Sequence, residues 1–451
     1  MSDYRTDADA LFAEGADLPL RISAGEERSL PMGFKGKTGE TAVLRDPSGR
    51  PDTVLAGALE GGPYAPLSLG AAAKLEVGAM RLEGDVADPD LAALGFALGG
   101  YDFSAYREAK PHAQLLMPDG ADGDHVRRMA RAVFLVRDLI NIPTGDLGPS
   151  GIESAFRSVA AAGGAEVTVT VGDDLLPSGA EAGFPMIHAV GRASTDAPRL
   201  LDMAWGRLDA PKVTLVGKGV AFDTGGLNIK PGSSMALMKK DMGGAAHVLG
   251  IAQALMDAKA DIRLRVLVPA VENSIAGNAF RPGDVLRSRL GPTVEIGNTD
   301  AEGRLILADA LALGDEEEPA LMIDMATLTG AARVALGPDL PPLFTPSDAF
   351  ARAVTEAGSR LADPVHRLPL WAPYDSKLKS EIADVNHISS GGFAGAVTAA
   401  LFLQRFVGRA KVWAHLDVFG WHPDARPHGP KGGEAYAVRA LYDAITKRAG
   451  W

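Results

Sequence analysis

The chain has 451 residues, of which 46% are hydrophobic, 23% are charged and none is cysteine. That is enough apolar material for a large core and too little charge for a disordered chain. The missing cysteines exclude disulfides, a thiol nucleophile and any sulfur-ligated metal site, and the net charge of −12 disfavours non-specific binding to nucleic acid or to an anionic membrane.

No apolar run approaches the roughly 18 residues needed to cross a bilayer. The acidic start, MSDYRTDADALFAEG, lacks the order of a signal peptide. A soluble, cytoplasmic protein is expected. In the N-terminal region, residues 41–44 and 53–56 flank the turn DPSGRP and predict a hairpin. Residues 71–75 and 91–98 carry helix formers at helical spacing. Residues 124–141 place apolar side chains on one stripe and basic ones opposite, and Pro143 stops the run. We read this as a connecting helix that closes a small N-terminal α/β domain, residues 1–145.

Beyond it, over residues 146–451, strand and helix signals alternate. Strands are expected at 166–171, 212–216, 262–268, 293–296, 321–323 and 411–418. Helices are expected at 152–162, 245–258, 305–313, 349–361 and 394–406. Apolar strands separated by helices predict a sheet buried on both faces, with its site at the carboxyl ends of the strands.

Two charged segments follow such strands. The first, VGKGVAFDTGGLNIKPGSSMALMKKDMGGAA, holds Lys218, Asp223, Lys230 and Asp241; the second, GNTDAEGRLILADAL, holds Asp300, Glu302 and Arg304. Singly, each has a plain reading. Asp241 can cap a helix, Thr299 and Glu302 fit a capping box, and the lysines can be solvated. Together they fit that reading poorly, because gathered carboxylates repel unless protons or metal ions compensate them. An all-oxygen set suits Mg, Mn or Zn, and two metals sharing four carboxylates can activate water and clamp a substrate oxygen. Residue chemistry alone thus points to a metal-dependent hydrolase. A rival cluster, His415, Asp417, His422 and His428, lies in an apolar strand and a Pro-rich loop, where hydrogen-bonded histidine is the usual outcome. No His-Glu-x-x-His, Gly-x-Ser-x-Gly or complete phosphate-binding loop occurs.

These residues resemble the signatures of the leucyl aminopeptidase (cytosol aminopeptidase) family. The octapeptide from Asn298 to Leu305 matches the family hallmark without a change, and Lys218, Asp223, Lys230 and Asp241 keep the family spacing. RDLIN (137–141), DMATLTG (324–330) and IADVN (382–386) are also similar. The resemblance covers residues 130–451, and in the N-terminal region rests mainly on GFALGGYDFSAYR (95–107).

The resemblance implies a small N-terminal α/β domain and a larger catalytic α/β/α domain around a mixed, mostly parallel sheet, assembled as a homohexamer. It implies two divalent ions per subunit, Mn or Zn. Lys218, Asp223, Asp241 and Glu302 would hold the tighter one, and Asp223, Asp300 and Glu302 the more exchangeable one. Lys218 would then be a neutral amine. Lys230 and Arg304 would be catalytic, Arg304 holding a bicarbonate ion. Met238, Thr327 and Gly330 would line the pocket for an apolar first side chain of a peptide, and a water shared between the metals would attack the first peptide bond. Ala221 stands where the family usually has Thr. The segment 417–421 and the loop HPDARPHGPKGGEAY depart from the common pattern beside the pocket. The alternative class is an oligomeric scaffold or nucleic-acid-binding protein on the same fold, with Arg127, Arg128 and Arg131 as its basic stripe.

Overall fold

The alternating Val, Ile and Leu residues of the C-terminal two thirds assemble into one nine-stranded sheet. The computed structural model describes residues 7–24, 31, 33–178 and 182–451; the first residues of the acidic N-terminal segment lie outside them. Across the sheet the order is His366–Arg367, Pro342–Phe344, Val412–Asp417, Leu321–Ala326, Lys212–Gly217, Arg263–Asn273, Arg199–Trp205 and Glu166–Val171, and Gly219–Asp223 pairs beside Arg263–Asn273. The four central strands, from Val412–Asp417 to Arg263–Asn273, run parallel, and antiparallel neighbours flank them.

Burial on both faces follows from the period of two along each strand. Val213, Leu215 and Ile323 pack in one core with the helices Gly123–Asn141, Pro149–Gly163 and Gly243–Asp257. Val216, Leu267 and Met322 face the other way, against Pro185–Gly191, Glu302–Asp315 and Gly395–Gln404. The first core continues without a break into the N-terminal region, through Leu20, Val54, Leu67 and Phe96.

That region has its own six-stranded sheet, in the order Phe12–Ala13, Gln114–Leu116, Ala79–Glu83, Leu18–Ile22, Pro51–Ala56 and Thr41–Arg45. The expected hairpin is its antiparallel edge, closed by Asp46, whose carboxylate accepts from the N–H groups of Ser48 and Arg50. Residues 71–74 belong to a 3-10 helix, Ala65–Lys74, rather than an α-helix, and Leu75 is already extended. Helix Pro89–Gly99 is capped by Asp88. Among the described residues no helix is long and apolar enough to cross a membrane.

Two differences from the sequence reading matter for the site. Residues 293–296 form no part of the large sheet: Thr293–Glu295 joins a separate three-stranded sheet with Val285–Arg287 and Val385–Asn386. Arg199–Trp205 and Gly219–Asp223 are strands that composition did not flag. Arg199, Asp202 and Trp205 break the apolar pattern of the first, and the second is an extension of Lys212–Gly217 beyond Lys218.

Candidate metal centre

Parallel strands deliver their ends to one place. Lys212–Gly217 runs into Lys218, whose N–H donates to the Met325 carbonyl at 3.0 Å. The chain resumes as Gly219–Asp223, with Asp223 opposite Asn273 at the end of the neighbouring strand. Leu321–Ala326 leads into Thr327, and Val412–Asp417 ends at Asp417. Asp241 lies on the 3-10 turn Met238–Met242 ahead of helix Gly243–Asp257. Asp300 lies on the turn Thr299–Ala301, and Glu302 is the first residue of helix Glu302–Asp315.

The two charged segments are tied together by Thr299. Its hydroxyl donates to the Gly225 carbonyl at 2.6 Å and accepts from the Asn228 N–H at 2.9 Å. No capping box forms; Asn298 caps the turn by accepting from the Asp300 N–H at 2.9 Å. Close packing requires glycine twice. A Cβ at Gly303 would lie 2.5 Å from Lys218 Cε, and one at Gly244 would lie 2.1 Å from the Met325 carbonyl oxygen.

All seven charged residues singled out from the sequence meet here. Lys218 Nζ is 2.8 Å from Asp241 Oδ2 and 3.0 Å from Glu302 Oε1. Lys230 Nζ is 2.8 Å from Asp223 Oδ2 and also pairs with Asp300. Asp223, Asp300 and Glu302 each offer an oxygen, all within 4.8 Å of one another. Arg304 extends alongside, donating to the His387 carbonyl at 2.8 Å. Met238, Thr327 and Gly330 line the same cavity of about 400 Å³. Thr327 also has a second role, donating from Oγ1 to Asp241 Oδ1 at 2.8 Å.

The cluster is buried except at Lys230 and Asp300, which are half-buried, and it is short of positive charge. Burial, then the charges of Glu302 and Asp241, pushes the Asp223 carboxyl well above the ordinary carboxylate range. Burial raises Asp241 as well. Burial opposes ionisation of Glu302 too, but the Lys218 and Lys230 ammonium groups outweigh it and lower its pKa. Both lysines are held above their usual value, against burial, by the carboxylates they face. Burial lowers Arg304 to about 10. Among the described residues, buried Glu302 Oε2 has no hydrogen-bond partner, an uncompensated acceptor at the centre of the group. Hard divalent cations fit such a set, supplying the charge that two ammonium groups leave short.

The chain matches the cytosol aminopeptidase family catalytic domain over residues 134–442 and the M17 aminopeptidase N-terminal domain over residues 25–118. The chain belongs to the cytosol aminopeptidase family. It is 41% identical over 371 residues to a probable cytosol aminopeptidase of Roseiflexus castenholzii, covering 78% of this chain and 75% of that one. A probable cytosol aminopeptidase of Caulobacter vibrioides is 38% identical over an alignment that covers 96% of this chain and 94% of that one. Among solved structures, the cytosol aminopeptidase from Coxiella burnetii superposes with a TM-score of 0.90 at 43% identity, covering 97% of this chain and 98% of that one. The bottromycin maturation enzyme BotP in complex with Mn gives 0.86 at 32%, covering 96% and 100%. This chain is therefore an aminopeptidase, a hydrolase of peptides from a metal-dependent family.

Within this aminopeptidase the rival histidine cluster does not converge. His415 Nδ1 pairs with Asp324 at 2.5 Å, Asp417 accepts from the Leu328 and Thr329 N–H groups, His422 Nε2 is 3.1 Å from Asp339, and His428 stacks on Tyr64. The Arg127, Arg128 and Arg131 stripe is paired with Asp9 and Asp257. Sequence reading missed Asn273, which donates from Nδ2 to Asp223 Oδ1 at 2.8 Å and to the Thr299 carbonyl at 3.0 Å. The signal lay in strand length, since Arg263–Asn273 runs five residues past the expected end at 268. Lys240, Arg333 and Phe419, which also line the cavity, were likewise not singled out.

Proposed function

We propose that this aminopeptidase is binuclear and releases N-terminal residues with apolar side chains, such as Leu or Met, from peptides. The observation that carries the reading is the meeting of Lys218, Asp223, Asp241, Asp300 and Glu302 in one largely buried cluster beside a cavity. Lys218, Asp223, Asp241 and Glu302 would hold one ion, and Asp223, Asp300 and Glu302 the other, Mn or Zn in each case. Such ions supply Lewis acidity for the first peptide carbonyl, a water of lowered pKa and an anchor for the free α-amine.

The chain's own groups do the rest. Asn273 holds the Asp223 carboxylate in place, and Thr327 does the same for Asp241. Lys230, at the cavity wall, stabilises the negative charge that develops on the carbonyl oxygen. Arg304 has a buried Nε without a partner among the described residues, which supports a bound anion there, bicarbonate being the one that would supply a base. Met238 and the open face at Gly330, where a Cβ would meet no atom within 4 Å, receive the first side chain. Exposed Ile229, Ile382 and Phe393 support assembly into a homohexamer. The separate sheets support a domain division near residue 145, and the names of the relatives support a cytoplasmic location.

The test is hydrolysis of a leucine chromogenic anilide with added manganese, after chelation, and against an N-acetylated control. Cleavage should vanish on chelation, return with metal and fail on the acetylated substrate. Asp300→Ala should lose activity together with metal content, and normal turnover in that variant would sink the site assignment.

A further inference from the structure

The cavity that receives the first side chain is not lined by apolar groups alone. Lys240 and Arg333 both line it, each close to the ring of Phe419. Lys240 Nζ lies 4.7 Å and the Arg333 guanidinium carbon 5.1 Å from the centre of that ring. Local structure places them with the pocket residues. Met238 and Lys240 share the 3-10 turn Met238–Met242, and Gly330 and Arg333 lie nearly one turn apart on helix Gly330–Leu336.

Neither cation forms an ion pair among the described residues. Asp241 and Asp417, the nearby acids in the cavity wall, are committed elsewhere: Asp241 pairs with Lys218 at 2.8 Å and accepts from the Thr327 hydroxyl at 2.8 Å, and Asp417 accepts from the Leu328 N–H at 2.9 Å, the Thr329 N–H at 3.2 Å and the Thr329 hydroxyl at 2.6 Å. Lys240 is only 6% exposed. A buried ammonium with no counter-ion is unfavourable unless a ligand supplies one. Ring faces attract cations, but more weakly than a carboxylate does.

We infer that the first-residue pocket is built for a side chain with an apolar stem and an anionic tip, so that peptides beginning with glutamate are substrates and those beginning with lysine or arginine are rejected. The stem would lie along Met238 and Phe419, the same contacts that admit Leu or Met, and the carboxylate would reach Arg333 and Lys240. The inference rests on the proposed assignment of Met238, Thr327 and Gly330 to the first side chain and names a further substrate class for that pocket.

Glutamine is the isosteric control, since it matches glutamate in shape and lacks only the charge. The manganese-loaded protein should cleave a glutamyl anilide at a kcat/KM about tenfold above the glutaminyl one, the worth of one charge-assisted hydrogen bond. A lysyl anilide should be the poorest of the set. Arg333→Gln and Lys240→Gln should each bring the glutamate-to-glutamine ratio towards one, whereas Arg333→Lys should keep most of it. Calorimetric binding of free L-glutamate against L-glutamine reports the same preference without turnover. Equal handling of the two by the unaltered protein, or a ratio indifferent to both glutamine variants, overturns the inference. Failure to cleave any anilide would count against the aminopeptidase reading instead, and the calorimetric ratio would then decide the pocket's charge by itself.

Discussion

Glu434 is a buried acid outside the carboxylate cluster, and its replacement by glutamine tests whether burial or pairing governs it. The residue is 4% exposed. Arg137 reaches it through Nε at 3.1 Å and Nη2 at 3.0 Å, and Arg426 pairs with its other oxygen. Arg137 also donates to the carbonyls of Leu98 at 3.0 Å and His428 at 2.8 Å. The group therefore joins helix Gly123–Asn141 to the N-terminal region and to the C-terminal loop. Burial by itself would raise the Glu434 pKa, but the two guanidinium groups outweigh it and take it from 4.5 to about 2. At about 1.4 kcal/mol per tenfold change in proton affinity, that is worth about 3 kcal/mol. The folded pKa is the lower one, so this stability is present above pH 4.5 and is lost as pH falls towards 2. About 1.4 kcal/mol should be gone by pH 3.5. Urea unfolding at matched protein concentration should show Glu434→Gln about 3–5 kcal/mol less stable at pH 7, the usual cost of breaking a buried pair. The gap should narrow on acidification by the amount given. A gap that stays constant from pH 7 to pH 3.5 would refute the pairing argument.

Gly303→Ala should drive its new methyl into the Lys218 side chain and weaken metal binding roughly 10–100-fold, as disturbances around ligands do. Elemental analysis after dialysis checks this, and full metal retention in the folded variant would count against a ligand role for Lys218. Asp363 accepts from the N–H groups of Ala437 at 2.9 Å, Arg439 at 2.8 Å and Ala440 at 3.2 Å, and so caps the final helix Val438–Thr446 from a distant loop. Asp363→Ala should cost about 1–3 kcal/mol. Hydrogen exchange should rise first at residues 438–446; unchanged protection there would rule the cap out.

Several elements were legible because their causes are local. Residues 124–141 carry both the apolar stripe and the stop at Pro143, and the helix Gly123–Asn141 follows them closely. The hairpin at Thr41–Arg45 and Pro51–Ala56 rests on an Asp-Pro-Ser-Gly turn whose carboxylate bonds its own backbone. Residues 293–296 read as one more core strand, yet they pair in a small outlying sheet. Three or four alternating residues cannot distinguish one sheet from another.

The sequence by itself determined the chemistry on offer at the site. Carboxylates, lysines and glycines stand a few residues apart on two segments, and the needs of metal ligation and tight turns are met at that range. Only the tertiary structure decided which groups meet. Thr299 ties one segment to the other across 74 positions, and Asn273 steadies Asp223 from 50 positions away. Arg137 and Glu434 are 297 apart, and Lys240 and Arg333 share a cavity with Phe419. Such contacts depend on strand order and loop closure, which residue periodicity does not encode.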